Sequence, residues 1–253
     1  MLRSRTRIAP VAALAAAAGI VVLPGLADAA KSKKAPVVAV VSEGIAEKLH
    51  GAPKLKKGKK AALVGRSFPA VCDGAVTSWR ISDLADDGAW VGGFVGGAKP
   101  HRCLLVDGAP DSVTAAKGRP NVDPKQIAAA RLAATVALTP KKGTAADVGK
   151  LELQVFHDGV DFVAVAQTQK PATGKSSCLD RSSLVVMVED GGSWKTIFRP
   201  AGKGKDICGY TFFSRGDVDA DGRDEIALRV DKTEGYGYRV LKRVKGSYSV
   251  IAR

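Results

Sequence analysis

The sequence predicts a mainly β protein, made of antiparallel sheets from degenerate propeller-blade-like repeats, with one or two short helices. Two observations favour this fold class. Short runs of β-branched and aromatic residues are bounded by Gly, Asp and Lys, a pattern typical of strands joined by turns. An Asp-Gly segment followed by a strand-like run also recurs along the chain, which indicates one small unit used more than once. The 253 residues are 45% hydrophobic and 25% charged, as expected for a globular chain.

The N-terminus has the features of an export signal. Residues 8–26 are rich in Ala, Val and Leu, and Ala27-Asp28-Ala29 supplies the small-x-small pattern that a signal peptidase reads. We therefore predict that residues 1–30 are a cleavable signal peptide and that the protein is secreted or periplasmic. The alternative is that the apolar stretch remains as a single membrane anchor. The basic start of the signal consists of Arg3, Arg5 and Arg7.

The next segment, residues 31–60, concentrates positive charge. It holds nine lysines and two glutamates, within a chain of formal net charge +14. Residues 35–41 form an apolar run that predicts a strand, and Ser42 is placed to cap a short helix that ends at Gly51. The stretch that follows is rich in Lys and Gly, and residues 31–60 as a whole are predicted to be a basic Lys-rich arm or linker. Such an arm attracts anionic polymers, but no aromatic residue lies among its lysines, which disfavours nucleic acid as a partner.

Four cysteines in an exported chain favour two disulfides. Three pairings are possible, and the nearly equal separations within each pair favour Cys72–Cys103 and Cys178–Cys208. No two cysteines have C-x-x-C spacing, so neither a thioredoxin-type site nor a zinc knuckle is indicated. We therefore expect the cysteines to have a structural role.

Residues 61–150 are predicted to form an N-terminal β-rich unit with a helix near 124–136. Asp123 is a suitable N-cap, Pro124 suits the first turn, and Pro140 would end the helix. Residues 151–253 are predicted to hold two repeats. Their clearest strands are expected at residues 162–166, 184–188, 226–230 and 238–241.

The repeats are seen by aligning the chain with itself. Residues 158–165 align with residues 221–228, and residues 83–91 give a fainter third copy. A second element follows each of the later copies, at residues 190–197 and 244–251, and it predicts a hairpin turn before a strand that starts with an aromatic residue. Each repeat is therefore expected to be an antiparallel sheet of about four strands, the size of one propeller blade.

One loop carries specific chemistry. It places carboxylates at its first, third, fifth and ninth positions, and calcium binds six to eight oxygens, preferably from such groups. Gly222 at the sixth position permits the sharp turn that the loop needs, and the seventh position would offer a main-chain carbonyl. We therefore predict a calcium site whose ligands are Asp217, Asp219, Asp221, Arg223 through its carbonyl, and Glu225.

The flanks of this loop exclude an EF-hand. Leu228 stands where an EF-hand has its bidentate glutamate, and the alternation after Glu225 is that of a strand. A calcium loop running into a strand, within a repeat of about 60 residues, resembles the FG-GAP/VCBS family of integrin-like repeats. The resemblance is specific over residues 216–228, weak over 154–165 and marginal over 83–91. It implies one calcium site, two vestigial turns, and extracellular adhesion or ligand display.

Enzyme signatures are missing from the sequence. The three histidines, His50, His101 and His157, form no H-E-x-x-H motif, no G-x-S-x-G occurs, and no catalytic residue is assigned. We expect an exported calcium-binding, non-enzymatic interaction module, with calcium structuring the last repeat and a protein or glycan ligand at the cell envelope or outside. The alternatives are a secreted hydrolase with unrecognised catalytic carboxylates, and an electrostatic binder of anionic envelope polymers through the Lys-rich arm.

Overall fold

Fourteen strands and one helix make up the part of the chain that the computed structural model describes. The described residues all fall within one unit, residues 34–253. Every strand pair is antiparallel, so the predicted mainly β fold class is confirmed. The described ranges are 37–49, 63–86, 89–97, 102–108, 113, 115–116, 118–140, 150–171, 178, 180–200 and 206–252.

The N-terminal half forms a closed six-stranded barrel. Its strands are β1 (Val37–Ser42), β2 (Ile45–Lys48), β3 (Ser67–Cys72), β4 (Ala75–Leu84), β5 (Trp90–Phe94) and β6 (Arg102–Val106). They pair in the order β1-β2-β5-β4-β3-β6. The interior is filled by large side chains, among them Trp79 and Trp90, and Phe68 stacks on Trp90 with ring centroids 5.1 Å apart. These aromatic rings are the largest fully buried side chains of the barrel's apolar core.

The barrel closes between β3 and β6 through a short register that pairs Ala70 with Leu105 and Val71 with Leu104. The disulfide Cys72–Cys103 continues this register by one residue on each strand. The second disulfide joins Cys178 to Cys208, so the favoured pairing is confirmed for both bridges. Because Cys103 is fully buried, the first bridge is also part of the barrel core.

The C-terminal half forms two four-stranded sheets, each a meander of consecutive strands. The first sheet has the order β10-β9-β8-β7 and the second β11-β12-β13-β14. The Asp-Gly segments at 158 and 221 both lie between the first and second strands of their sheets, and the Gly-Ser-aromatic turns lie between the third and fourth. The strands are β7 (Lys150–His157), β8 (Phe162–Pro171), β9 (Asp180–Asp190), β10 (Ser193–Phe198), β11 (Ile207–Gly216), β12 (Glu225–Lys232), β13 (Tyr236–Val244) and β14 (Ser247–Ala252).

The elements stack in layers through three apolar clusters. The two four-stranded sheets share one core, which includes Val165, Val186, Ile226 and Leu228. The opposite face of the second sheet packs on the barrel. Helix α1 (Pro124–Leu138) covers the opposite face of the first sheet with its small buried residues Ala130 and Ala134, together with Leu138. The second sheet is therefore packed on both faces, against the first sheet on one side and against the barrel on the other.

Helix α1 begins as predicted. The Asp123 side chain accepts a hydrogen bond from the Lys125 amide at 2.7 Å, and Gln126 reaches back to the Asp123 amide at 2.9 Å. These two bonds form a capping box, with Pro124 in the first turn. The helix ends at Leu138, two residues before Pro140.

Two predictions about the segment 31–60 are wrong. Ser42 does not start a helix, because Glu43 and Gly44 form a two-residue hairpin turn and Ile45–Lys48 is β2. The segment is also not an arm throughout, because β1 and β2 are barrel strands with Ala39 paired to Lys48. The remainder of the Lys-rich stretch, residues 31–36 and 50–60, lies outside the described residues. The predicted third repeat at residues 83–91 is not a separate four-stranded sheet, because Asp83 and Leu84 of β4 pair with Val91 and Trp90 of β5 within the barrel.

The two disulfides close loops of similar length, with sequence separations of 31 and 30. Chain entropy then predicts that removing either bridge lowers the free energy of unfolding by about 3 kcal/mol. Cys72→Ala/Cys103→Ala should lose more than Cys178→Ala/Cys208→Ala, because its bridge also holds the closing strand pair. Denaturant unfolding of the two double variants measures this. Equal losses would show that the barrel closes without help from its bridge.

Candidate metal centre

The acidic loop, residues 217–225, joins β11 to β12. Its shape is set by the Asp217 carboxylate, which accepts hydrogen bonds from the amides of Asp221 at 3.1 Å and Gly222 at 2.9 Å. Asp217 is fully buried, and the chain turns sharply where Gly222 has a φ of +87°. The loop is therefore curled by its own first residue, and its sharp turn lies at Gly222, where the sequence pattern predicts it.

Three of the predicted ligands converge. Carboxylate oxygens of Asp217, Asp219 and Glu225 all lie within 4.8 Å of one another. Oxygens bound to one calcium ion at about 2.3–2.6 Å are at most about 5 Å apart, so this spacing fits such an ion. Oδ1 of Asp219 is buried and has no hydrogen-bond partner, which leaves an acceptor free for a cation. The donor set, all oxygen and all carboxylate, also suits calcium.

Asp221, a fourth predicted ligand, lies at the exposed rim of the loop. Asp221 Oδ1 accepts a hydrogen bond from the Arg223 amide at 2.9 Å, and its side chain is 39% exposed. The Arg223 guanidinium turns away from the cluster toward Asp161, at 3.5 Å. Asp221 therefore remains close to the cluster only through its second oxygen.

A lysine from the neighbouring strand enters the same cluster. The Lys242 ammonium lies 2.6 Å from Asp221 Oδ2 and 3.3 Å from Glu225 Oε1, and it also donates a hydrogen bond to Asp219. Lys242 is on β13, where the pair of Ile226 with Leu241 sets Lys242 beside Glu225. The sequence reading missed this residue, although the register of the β12–β13 hairpin is a signal that could have found it.

The pKa values of the two buried acids in the cluster, Glu225 and Asp217, are raised. Burial, reinforced by the charges of Asp219 and Asp221, raises the pKa of Glu225 to about 8, against the lowering effects of the Val218 amide and Lys242. Burial also raises the pKa of Asp217, with the nearby aspartates adding to it. One lysine thus leaves the acids undercompensated.

The surroundings of Lys242 favour its charged form, whereas those of Glu225 favour the neutral form. Burial by itself would lower the pKa of its ammonium, but hydrogen bonds to Asp219 and Asp221 and the charge of Glu225 outweigh burial, and the pKa is raised. The lysine therefore carries its full charge at neutral pH.

Asp224, which the sequence reading did not single out, points to the other side of the loop. Its buried carboxylate pairs with Arg119 at 2.6 Å and with Arg215. Its amide donates to the Asp158 carbonyl at 2.8 Å, which ties the acidic loop to the loop between β7 and β8. Asp224 is thus a structural residue that joins the two repeats.

Gly159 makes this contact possible. A Cβ atom built on Gly159 would lie 1.7 Å from the Gly222 carbonyl oxygen, and the residue has a φ of +112°. His157, next to this loop, accepts the Gly159 amide at its Nδ1 and packs edge-on against Phe162. This histidine is therefore occupied structurally, while His50 and His101 lie outside the described residues.

Replacement of Gly159 by alanine should force the two loops apart. We expect Gly159→Ala to lower the free energy of unfolding by more than about 2 kcal/mol. Gly235→Ala is the matched control, because Gly235 also has a positive φ but meets nothing within 4 Å, so it should cost only about 1 kcal/mol. Chemical denaturation compares them, and similar losses would show that the loop contact contributes little.

The metal-free protein should lose stability as pH rises through the range set by Glu225. The unfolded glutamate has its ordinary pKa of 4.5 and the native one about 8, so between these values the native state holds a proton that the unfolded state releases. The contribution is full below about pH 4.5 and is lost by about pH 8. We expect a fall of about 5 kcal/mol, measured by unfolding in chelator.

Glu225→Gln should reduce this slope, since the amide does not titrate. The groups that face Glu225 remain, namely Asp219 and Asp221 from the loop, Lys242 from β13 and Tyr248 from β14. Asp217, whose pKa burial also raises, will add a fall of its own. The control is Glu152→Gln on the exposed face of β7, which should keep the full slope. An unchanged slope in Glu225→Gln would contradict the assignment.

Comparison with known proteins gives no significant match among family models, curated proteins or solved structures. The resemblance of the acidic loop to FG-GAP/VCBS repeats therefore stays a prediction. Across the described ranges, no helix has the length and apolar character needed to cross a membrane. The function has to be inferred from the geometry of this chain, and that geometry centres on the acidic loop.

Proposed function

We propose that this protein is an exported, calcium-binding, non-enzymatic interaction module of FG-GAP/VCBS type, in which calcium structures the last repeat. The observation that carries the proposal is the convergence of oxygens from Asp217, Asp219 and Glu225 within 4.8 Å on one tightly curled loop. Asp217, Asp219 and Glu225 would hold the ion, with Asp221 beside them. Calcium would supply the positive charge that the buried acids lack.

Charge supports a divalent ion at this place. Four carboxylates, those of Asp217, Asp219, Asp221 and Glu225, face one ammonium, so three negative charges are unmatched when all are ionised. Burial is the main cause of the raised pKa of Glu225, and the charges of Asp219 and Asp221 add to it. A doubly charged cation would relieve the repulsion and hold all four carboxylates ionised.

The compartment is consistent with a calcium module. Both disulfides are typical of proteins in an oxidising extracellular environment. Extracellular calcium modules bind at about 10⁻⁴–10⁻³ M, which weak, partly exposed sites can reach. The predicted signal peptide over residues 1–30 supports export of the chain to such an environment.

The cluster is better suited to a metal than to hydrolysis. A carboxyl group with a pKa near 8 is a candidate general acid when it faces a cleft. Glu225 is only 1% exposed, and its oxygens face the Val218 amide at 3.0 Å and Lys242 at 3.3 Å. A substrate could not approach it without opening the loop, so we favour the binding module over the secreted hydrolase.

Calcium should raise the thermal stability of the full chain. In millimolar calcium we expect about 1–2 kcal/mol of stabilisation over the protein in chelator, with little effect of magnesium. Asp219→Asn should remove most of this effect, because it takes away one negative charge and one of the two carboxylate oxygens while keeping the shape of the side chain. Thermal melts and isothermal titration calorimetry measure both quantities.

Asp231→Asn is the matched control for this experiment. Asp231 is a partly exposed acid on β12 that pairs with Arg229 at 2.8 Å, outside the acidic loop. Its replacement should leave the calcium response unchanged. An absence of any calcium effect on the wild-type chain would refute the metal site. The interaction role is tested by retention on cell-envelope and matrix fractions, which should require calcium and weaken in Asp219→Asn.

A further inference from the structure

We propose that Lys242 is a built-in competitor of the metal: its ammonium neutralises the acidic loop when calcium is absent and leaves when calcium binds. This role rests on the proposed calcium function, and it adds the regulation of that site. Lys242 would set the calcium concentration at which the loop responds. It would also keep the loop folded between binding events.

Position is the first observation. The Lys242 ammonium contacts Asp219, Asp221 and Glu225 at once, and two of these residues belong to the converging oxygen cluster. A cation held by the same carboxylates would need the same space and the same lone pairs. Ion and ammonium are therefore mutually exclusive on Asp219 and Glu225.

Electrostatic repulsion points the same way. A divalent ion held by Asp219 and Glu225 would lie beside the ammonium that contacts the same two carboxylates, and like charges repel strongly in a partly buried environment. Binding of calcium at these carboxylates therefore has to move Lys242. When all four carboxylates are ionised, three negative charges remain unmatched beside the lysine, so the cluster still attracts a divalent ion.

The Lys242 side chain is able to move its ammonium into solvent. Leu241 and Val240 fix the backbone of β13 in the core, but the Lys242 side chain is 22% exposed, so its four-carbon stem can turn the ammonium into water. Asp221, at the exposed rim, is also the ligand closest to solvent. The exchange therefore needs a side-chain movement only, with no change of strand register.

The proposal is tested by titrating calcium into the full chain and its variants by calorimetry. Lys242→Met keeps the length of the side chain and removes its charge, so calcium affinity should rise about tenfold or more. Lys242→Arg keeps the charge, and its affinity should stay near that of the wild-type chain. Lys195→Met is the control for lost charge, because Lys195 pairs with Asp190 on an exposed hairpin; its affinity should not change.

A second measurement uses the wild-type protein alone and does not depend on how a variant folds. The rate of reductive methylation at Lys242, read by mass spectrometry, should be low in chelator and should rise on addition of calcium. Lys195 should react equally in both conditions. Protection of Lys242 that persists at saturating calcium would overturn the exchange.

The possible outcomes distinguish a failure of the Lys242 proposal from a failure of the proposed calcium function. Equal calcium affinity of wild-type and Lys242→Met protein would overturn the role of Lys242 and leave the calcium module standing. If Lys242→Met protein binds calcium and the wild-type protein does not, the result would support competition strong enough to exclude the ion. Absence of binding by both proteins would overturn the calcium function itself, and the lysine proposal with it.

Discussion

Buried carboxylates at one end of the two four-stranded sheets are the constraint on which this part of the protein depends. Within the described ranges, the buried acids are Asp158, Asp217, Asp224 and Glu225, each no more than 1% exposed. All four belong to the two equivalent loops that join the first and second strands of each sheet. A buried carboxylate without a partner costs several kcal/mol. The packing of the loops therefore has to bring cations and amide donors to this end.

Adjacent residues of the acidic loop meet this demand in different ways. Asp224 pairs through one carboxylate oxygen with two arginines from separate parts of the chain, Arg119 and Arg215, and its amide donates to the neighbouring loop, so its charge is compensated. Glu225, the next residue, points the other way and shares one lysine with two aspartates. The alternation of a strand thus places a compensated acid beside an undercompensated one. The first acts as a structural tie between repeats, and only the second has charge left for a ligand.

Local pattern was sufficient for much of the fold. The β-branched runs predicted strands that lie inside β8, β9, β12 and β13, and the Asp123–Pro124 start of α1 followed from capping chemistry. The Ser42 helix failed because a two-residue turn at Glu43 and Gly44 outweighed a plausible cap. For the site, the loop motif located the acids, whereas their partners depend on pairing between distant segments. Lys242 required the hairpin register, and Arg119 required the tertiary contact of the two repeats.

The acidic loop is already curled without a bound ion, and this limits the effect that an ion can have on its conformation. Asp217 binds the amides of Asp221 and Gly222, and Glu225 binds the amide of Val218, so the curl of the loop rests on hydrogen bonds within the chain. A metal that met an unfolded loop would have to offset its ordering, as in small zinc domains. Here that entropy is largely lost on folding of the sheets. Binding would act on charge, by relieving repulsion among carboxylates that the fold has already brought together.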